Sequence, residues 1–183
     1  GLVGTILQRL GVVPQQIAGG DIYPALERGT IDAAEFSGPL DDEKLGFQRV
    51  APYYYYPGWW EGCANVGLYI NLDRWNALPP HFQAALEAAC AETLLHSVAK
   101  YDNGNPDALL RLIGAGAQLR AFPDEVLTAA FAESRKLYAE YAEGNENFRK
   151  IYEHWSAYWQ KQQQWLRVAE LPYDYFTSGQ VGR

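Results

Sequence analysis

Gly19-Gly20-Asp21-Ile22-Tyr23-Pro24-Ala25-Leu26-Glu27-Arg28-Gly29-Thr30-Ile31-Asp32-Ala33-Ala34-Glu35-Phe36 reads as a short helix followed by a strand. Asp21 is the natural N-cap of a helix over 22–28, with Pro24 in its first turn, where a missing N–H costs little. Gly29 stops that helix. The apolar and small residues of 31–36 then predict a compact strand. Glu35 falls near its C-terminal end, where open α/β sheets place ligands. Gly38-Pro39 breaks the strand, and Asp41-Asp42-Glu43 opens another short helix. Three acids at the positive end of a helix dipole predict a solvated cap rather than a cation site.

Outward from this stretch, helices dominate. Residues 2–10 predict a short helix stopped by Gly11, followed by an extended segment at 12–14. Residues 50–56 and 65–71 predict strands on either side of an aromatic turn. Pro79-Pro80 starts a long helix with Phe82, Leu86, Ala89, Cys90, Leu94, Val98 and Tyr101 along one face. Gly104-Asn105-Pro106 is expected to interrupt it before 107–113 resumes. Residues 118–122 predict a strand, and Pro123-Asp124 opens a helix reaching about residue 142. After Gly144-Asn145, a last helix carries a stripe of Phe148, Ile151, Tyr152, Trp155, Trp159 and Leu166, widened by Trp165. Short strands separated by helices place the chain in the α/β class.

The composition sets bounds. With 183 residues, 48% hydrophobic and 20% charged, the chain can bury a core. A net charge of −7 with no Lys/Arg cluster argues against a nucleic-acid surface. No stretch approaches the roughly 20 apolar residues of a membrane span. The first residues have no charged-then-apolar leader pattern and the sequence has no Met, so it reads as a mature segment or an internal fragment. Cys63 and Cys90 allow one disulfide, but Cys90 falls on the apolar helix face, which predicts a buried free thiol.

The densest chemistry is Tyr53-Tyr54-Tyr55-Tyr56-Pro57-Gly58-Trp59-Trp60-Glu61-Gly62. Tyr and Trp are rigid, bury large areas and keep a polar handle, which suits the wall of a cleft for a small ligand; a buried strand of consecutive tyrosines is the alternative. His81, His96 and His154 lack metal-site spacing, no GxSxG elbow is present, and Gly114-Ala115-Gly116 follows a helix instead of opening one. That leaves Glu35 and Glu61, each a lone acid in an apolar or aromatic setting. They read as a general acid/base pair, as two ligands of a hard cation, or as two separately paired acids.

The run from Gly19 to Glu35 resembles the signature of the DctP-type substrate-binding proteins of TRAP transporters. Ser37-Gly38-Pro39-Leu40-Asp41-Asp42-Glu43-Lys44-Leu45-Gly46-Phe47 and the run from Tyr53 to Gly62 are similar to the TakP branch, which binds 2-oxo acids with a cation. The resemblance implies a two-lobed, type II periplasmic-binding-protein-like α/β fold, of which this chain is the C-terminal portion, with long C-terminal helices. It implies no enzymatic activity: a periplasmic protein closes on a pyruvate-like carboxylate and delivers it to membrane permease subunits. The alternative is a small-carboxylate enzyme using Glu35 and Glu61. Glu35, Glu61 and the backbone of Phe36 are the implied cation ligands, with sodium favoured over calcium. Glu35, Phe36, Trp60 and Glu61 are the implied substrate contacts, Phe36 standing where some relatives have Trp. The implied division assigns 1–37 and 79–143 to the second lobe. Residues 38–78 carry hinge-crossing strands and part of the first lobe, and 144–183 the C-terminal helix and tail. Further implied partners are the missing N-terminal part of the same protein and a second copy meeting the C-terminal helix.

Overall fold

One helix, α5 (Pro80–Gly114), runs for 35 residues through Gly104-Asn105-Pro106, where the sequence predicts a break. Pro106 forfeits one backbone hydrogen bond and strains the preceding turn. The local packing offsets this. The short helix α3 (Pro39–Leu45) crosses α5 here, and a Cβ on Gly104 would lie 2.9 Å from Leu40 Cδ2. Glycine therefore permits the close approach. The Leu40 N–H donates to Asn105 Oδ1 at 3.1 Å. Arg111 grips Glu43 with two hydrogen bonds of 2.6 and 2.8 Å, and the Tyr101 hydroxyl donates to Asp41 at 2.7 Å.

This computed structural model describes residues 1–181 apart from Glu61, Cys63 and Asn65, and it divides into two units. The first, Gln15–Asp124, holds α2 (Gly19–Glu27), α3, a 3₁₀ turn at Phe47–Arg49, β1 (Tyr53–Tyr56), α4 (Leu72–Asn76), α5 and β2 (Gln118–Ala121). β1 and β2 pair in parallel, with Tyr53 opposite Gln118 and Tyr56 opposite Ala121. Parallel neighbours need a long crossover, and α4 and α5 supply it. Ile22, Leu26 and Phe47 are buried together, with Ile17, Tyr23, Ile31, Leu45 and Val50 packed around them. Ala108, Leu112 and Ala117 are also buried.

The second unit comprises Gly1–Pro14 and Glu125–Arg183. It contains α1 (Leu2–Arg9), nearly all of α6 (Asp124–Gly144), α7 (Glu146–Leu166) and α8 (Glu170–Ser178). Asn145 caps α7 by accepting the Phe148 N–H at 3.0 Å, so the predicted break is a capped helix start. Ile6, Ala130 and Leu137 are buried, and Arg9 pairs with Glu140. Tyr138 and Tyr141 of α6 meet Tyr152 and Phe148 of α7, each pair of ring centroids 5.5 Å apart.

Several expectations are corrected. Helix α2 begins at Gly19 with Ala18 as N-cap, so Asp21 lies inside the first turn and Pro24 is an interior residue. Residues 31–36 and 66–71 form no strand. A strand is held by its neighbours' backbone groups, and β1 and β2 are the only paired strands among the described residues. Val66 and Tyr69 are 93% and 94% exposed. Helices α4 and α8 occupy segments for which the sequence reading gave no helix. Cys90 is free, as predicted, but exposed.

That exposure follows from an uncovered helix face: Phe82, Leu94 and Val98, predicted to be core, are all exposed. The chain presents 14248 Å² to solvent. A self-contained protein of 20.6 kDa exposes about 8,900 Å², and two independent globules of half that mass about 10,700 Å² together. No helix is long and apolar enough to cross a membrane, among the described residues.

Candidate ligand-binding site

Strand β1 alternates, so neighbouring tyrosines leave on opposite faces. Tyr54 is half-buried, and its hydroxyl donates to Asp42 Oδ2 at 2.6 Å. Asp42 is only 7% exposed. This overturns the solvated-cap reading of Asp41-Asp42-Glu43. Asp42 is buried against Tyr54, Asp41 accepts from Tyr101, and Glu43 pairs with Arg111. The partners lie 12, 60 and 68 residues away, so no local pattern marks them.

The electrostatics follow from this burial. Desolvation pushes the Asp42 carboxyl above the ordinary carboxylate range. The Tyr54 hydroxyl and the Ser37 backbone oppose that shift, while the charges of Asp41 and Glu35 add to it. The Tyr54 phenol is pushed upward by burial and by its bond to Asp42. Arg111 holds Glu43 below its usual range.

A cavity of about 70 Å³ lies among Phe36, Asp42, Gln48, Tyr53, Tyr54 and Leu112. The Phe36 ring meets Phe47 edge-on at 5.9 Å. The structure therefore brings Phe36 and the first half of the tyrosine run to one place. Tyr55, Trp59 and Trp60 gather elsewhere, around Phe122. Tyr55 packs on Phe122 at 5.0 Å, and Trp60 meets Phe122 at 6.1 Å and Trp59 at 4.4 Å. Phe122 is a contact that the sequence reading did not single out; its position directly after β2, beside the aromatic strand, is the signal.

Of the predicted site residues, Glu35 is exposed in the segment before α3, Phe36 is 43% exposed, and Trp60 is half-buried. Glu61 lies outside the described residues, and the predicted meeting of Glu35 and Glu61 with it. Cys63 lies outside them as well. No group of three or more His, Cys, Asp or Glu converges as a metal site among the described residues. The carboxylate of Glu35 and the adjoining carbonyl of Phe36 are both hard oxygen donors, the kind that sodium or calcium takes.

Comparison with known proteins extends this picture. Residues 1–145 match the family model described as bacterial extracellular solute-binding protein, family 7. A monocarboxylate 2-oxoacid-binding periplasmic protein of Nostoc is 43% identical over 97% of the chain, which spans 49% of that relative. A TRAP transporter solute-binding protein from Bordetella bronchiseptica is 50% identical with a TM-score of 0.91, covering 98% of this chain and 53% of its own. It is described as a mixed-occupancy dimer, with copurified calcium and picolinate in one active site and the other apo. A TRAP periplasmic solute-binding protein from Pseudoalteromonas atlantica, with bound sodium and pyruvate, is 31% identical with a TM-score of 0.88, covering 94% of this chain and 53% of its own. The chain thus spans about half the length of the relatives it matches.

Proposed function

This chain belongs to the bacterial extracellular solute-binding proteins of family 7, and on that premise we propose that it forms the C-terminal part of a periplasmic TRAP-type receptor for a small 2-oxo acid. The ligand, pyruvate or a close analogue, is bound together with a cation in a cleft completed by the remaining half of the protein, and is then passed to the membrane permease. Glu35, the Phe36 carbonyl and Glu61 hold the cation, while Phe36 and Trp60 line the ligand. Sodium is the proposed cation, with calcium as the alternative. Residues 1–37 and 79–143 are assigned to the second lobe, 38–78, with β1, to the hinge and part of the first, and 144–183 to the terminal helix and tail.

The observation that carries this reading is a match over 98% of the chain, at 50% identity, to a binding protein described with a cation and a carboxylate, picolinate, in its active site. The exposed Glu35 beside Phe36 and the aromatic strand gives the required donors and wall. Calorimetry tests it on residues 1–183 combined with the complementary half of the Bordetella relative. Pyruvate should bind only with sodium or calcium present and be recovered unchanged. Glu35→Gln should weaken binding by about 10-fold or more, as loss of a charged ligand to a hard cation does. Turnover of the ligand, or binding indifferent to cation, would sink the proposal.

A second reading concerns assembly. Along α7 the rings of Phe148, Tyr152, Trp155 and Trp159 follow one another at 5.9–6.0 Å. Tyr138 and Tyr141 cover one end, yet Ile151, Trp155, Tyr158 and Trp165 stay exposed. Trp and Tyr are favoured in interface cores. A second copy meeting α7 is the proposed partner.

A further inference from the structure

Two buried acceptor oxygens border the small cavity beneath Phe36 and Tyr53. Asp42 Oδ1 and Gln48 Oε1 are both shielded from solvent and have no hydrogen-bond partner of good geometry, the Ser37 backbone acting on the Asp42 carboxylate without closing such a bond to Oδ1. Asp42 itself is 7% exposed, and its other oxygen is taken by Tyr54. Buried polar atoms nearly always find a partner, so a pair left over in one cavity specifies what belongs there. The remaining lining is mostly apolar, including Leu26, Phe47 and Leu112. The volume of about 70 Å³ exceeds the roughly 10–15 Å³ that a single small guest needs on the same measure.

We infer that this cavity is a binding site for one small hydrogen-bond donor, held between Asp42 Oδ1 and Gln48 Oε1. With the Asp42 carboxyl ionised, both protein atoms are acceptors, so the guest must supply the hydrogens; water and the ammonium ion share that chemistry and that size. The surroundings favour a donor with positive character. Asp41 and Glu35 add negative charge to that of Asp42. The nearby cations are engaged, Arg111 with Glu43 and Lys44 with Asp41 at 3.6 Å. Held there, the guest ties α3 to the 3₁₀ turn that carries Gln48, under the ring of Phe36. The inference stands on these contacts alone and does not depend on which solute the protein carries.

A high-resolution crystal structure of residues 1–183, grown without ammonium, tests for the guest, and paired thermal melts in ammonium chloride and potassium chloride identify it. Density within about 2.7–3.2 Å of both oxygens is the expected result. A melting temperature raised by ammonium beyond equal potassium assigns ammonium by mass action; equal effects assign water. Gln48→Met removes one acceptor and fills space. It should abolish both the density and any ammonium effect, and lower Tm by on the order of 2–4 °C. If that variant fails to fold, Asp42→Asn, which replaces an acceptor by a donor, should do the same to the ammonium effect. A wild-type cavity without density, or a direct bond between the Gln48 amide nitrogen and Asp42 Oδ1, overturns the inference.

Discussion

The Tyr54 hydroxyl donates to the buried carboxylate of Asp42 at 2.6 Å, joining strand β1 to helix α3. Tyr54→Phe keeps the ring and deletes the donor, leaving Asp42 oxygen without its partner. Urea unfolding should show a loss of about 1–3 kcal/mol, the range for a bond to a charged or buried group. An unchanged midpoint would mean that solvent replaces the hydroxyl freely.

The same carboxyl sets a pH dependence. Burial raises its folded value above the ordinary 3.8, so between those two values the folded state holds more protons than the unfolded one. Stability from Asp42 is therefore fully present below about pH 3.8 and declines as pH rises through the folded value. Glu43 and Glu140, held low by Arg111 and Arg9, act in the opposite sense and lose their contribution as pH falls. Asp42→Asn should remove only the first component. Its stability difference from wild type should grow in the variant's favour as pH climbs from 4 towards neutrality. A difference that is flat across this range would contradict the burial of the charge.

Glycine 19 is a steric requirement of the Phe36 position. A Cβ there would meet Phe36 Cε2 at 2.9 Å and Cζ at 3.3 Å, whereas nothing lies within 4 Å of one on Gly20. Gly19→Ala should push the ring from its edge contact with Phe47 and cost about 1 kcal/mol. Gly20→Ala should be neutral or stabilise by up to about 1 kcal/mol. Equal unfolding midpoints for the two variants would remove the steric argument.

Residues 1–183 alone are expected to bind 2-oxo acids weakly. The relatives are about twice as long, and a pocket gains its affinity by burying most of a ligand's surface. Titration calorimetry with pyruvate, in sodium or calcium, should show no micromolar binding by the chain on its own. A micromolar isotherm would show that the described half contains the whole site.

The exposed rings of α7 predict self-association. Sedimentation equilibrium should give a dimer for the wild type and a weaker one for Trp155→Ala/Trp159→Ala. A wild type that remains monomeric at high concentration would return α7 to the role of a helix packed only within its own unit.

The sequence by itself determined the family signature from Gly19 to Glu35 and most of the helices. Pro80, Asp124 and Asn145 mark helix starts, and helical hydrogen bonds close within four residues, so local pattern suffices. Strands β1 and β2 were legible because each is bounded by turn residues. Tertiary structure alone decided the rest. Whether residues 31–36 and 66–71 become strands depends on a neighbour's backbone, and no described residue pairs with them. Whether Gly104-Asn105-Pro106 breaks α5 depends on Leu40 arriving across the helix. Cys90 and its apolar face are exposed because nothing described covers them. Asp42 reads as a surface cap until Tyr54 and the cavity enclose it, since burial and pairing are properties of what lies opposite a residue rather than beside it in the chain.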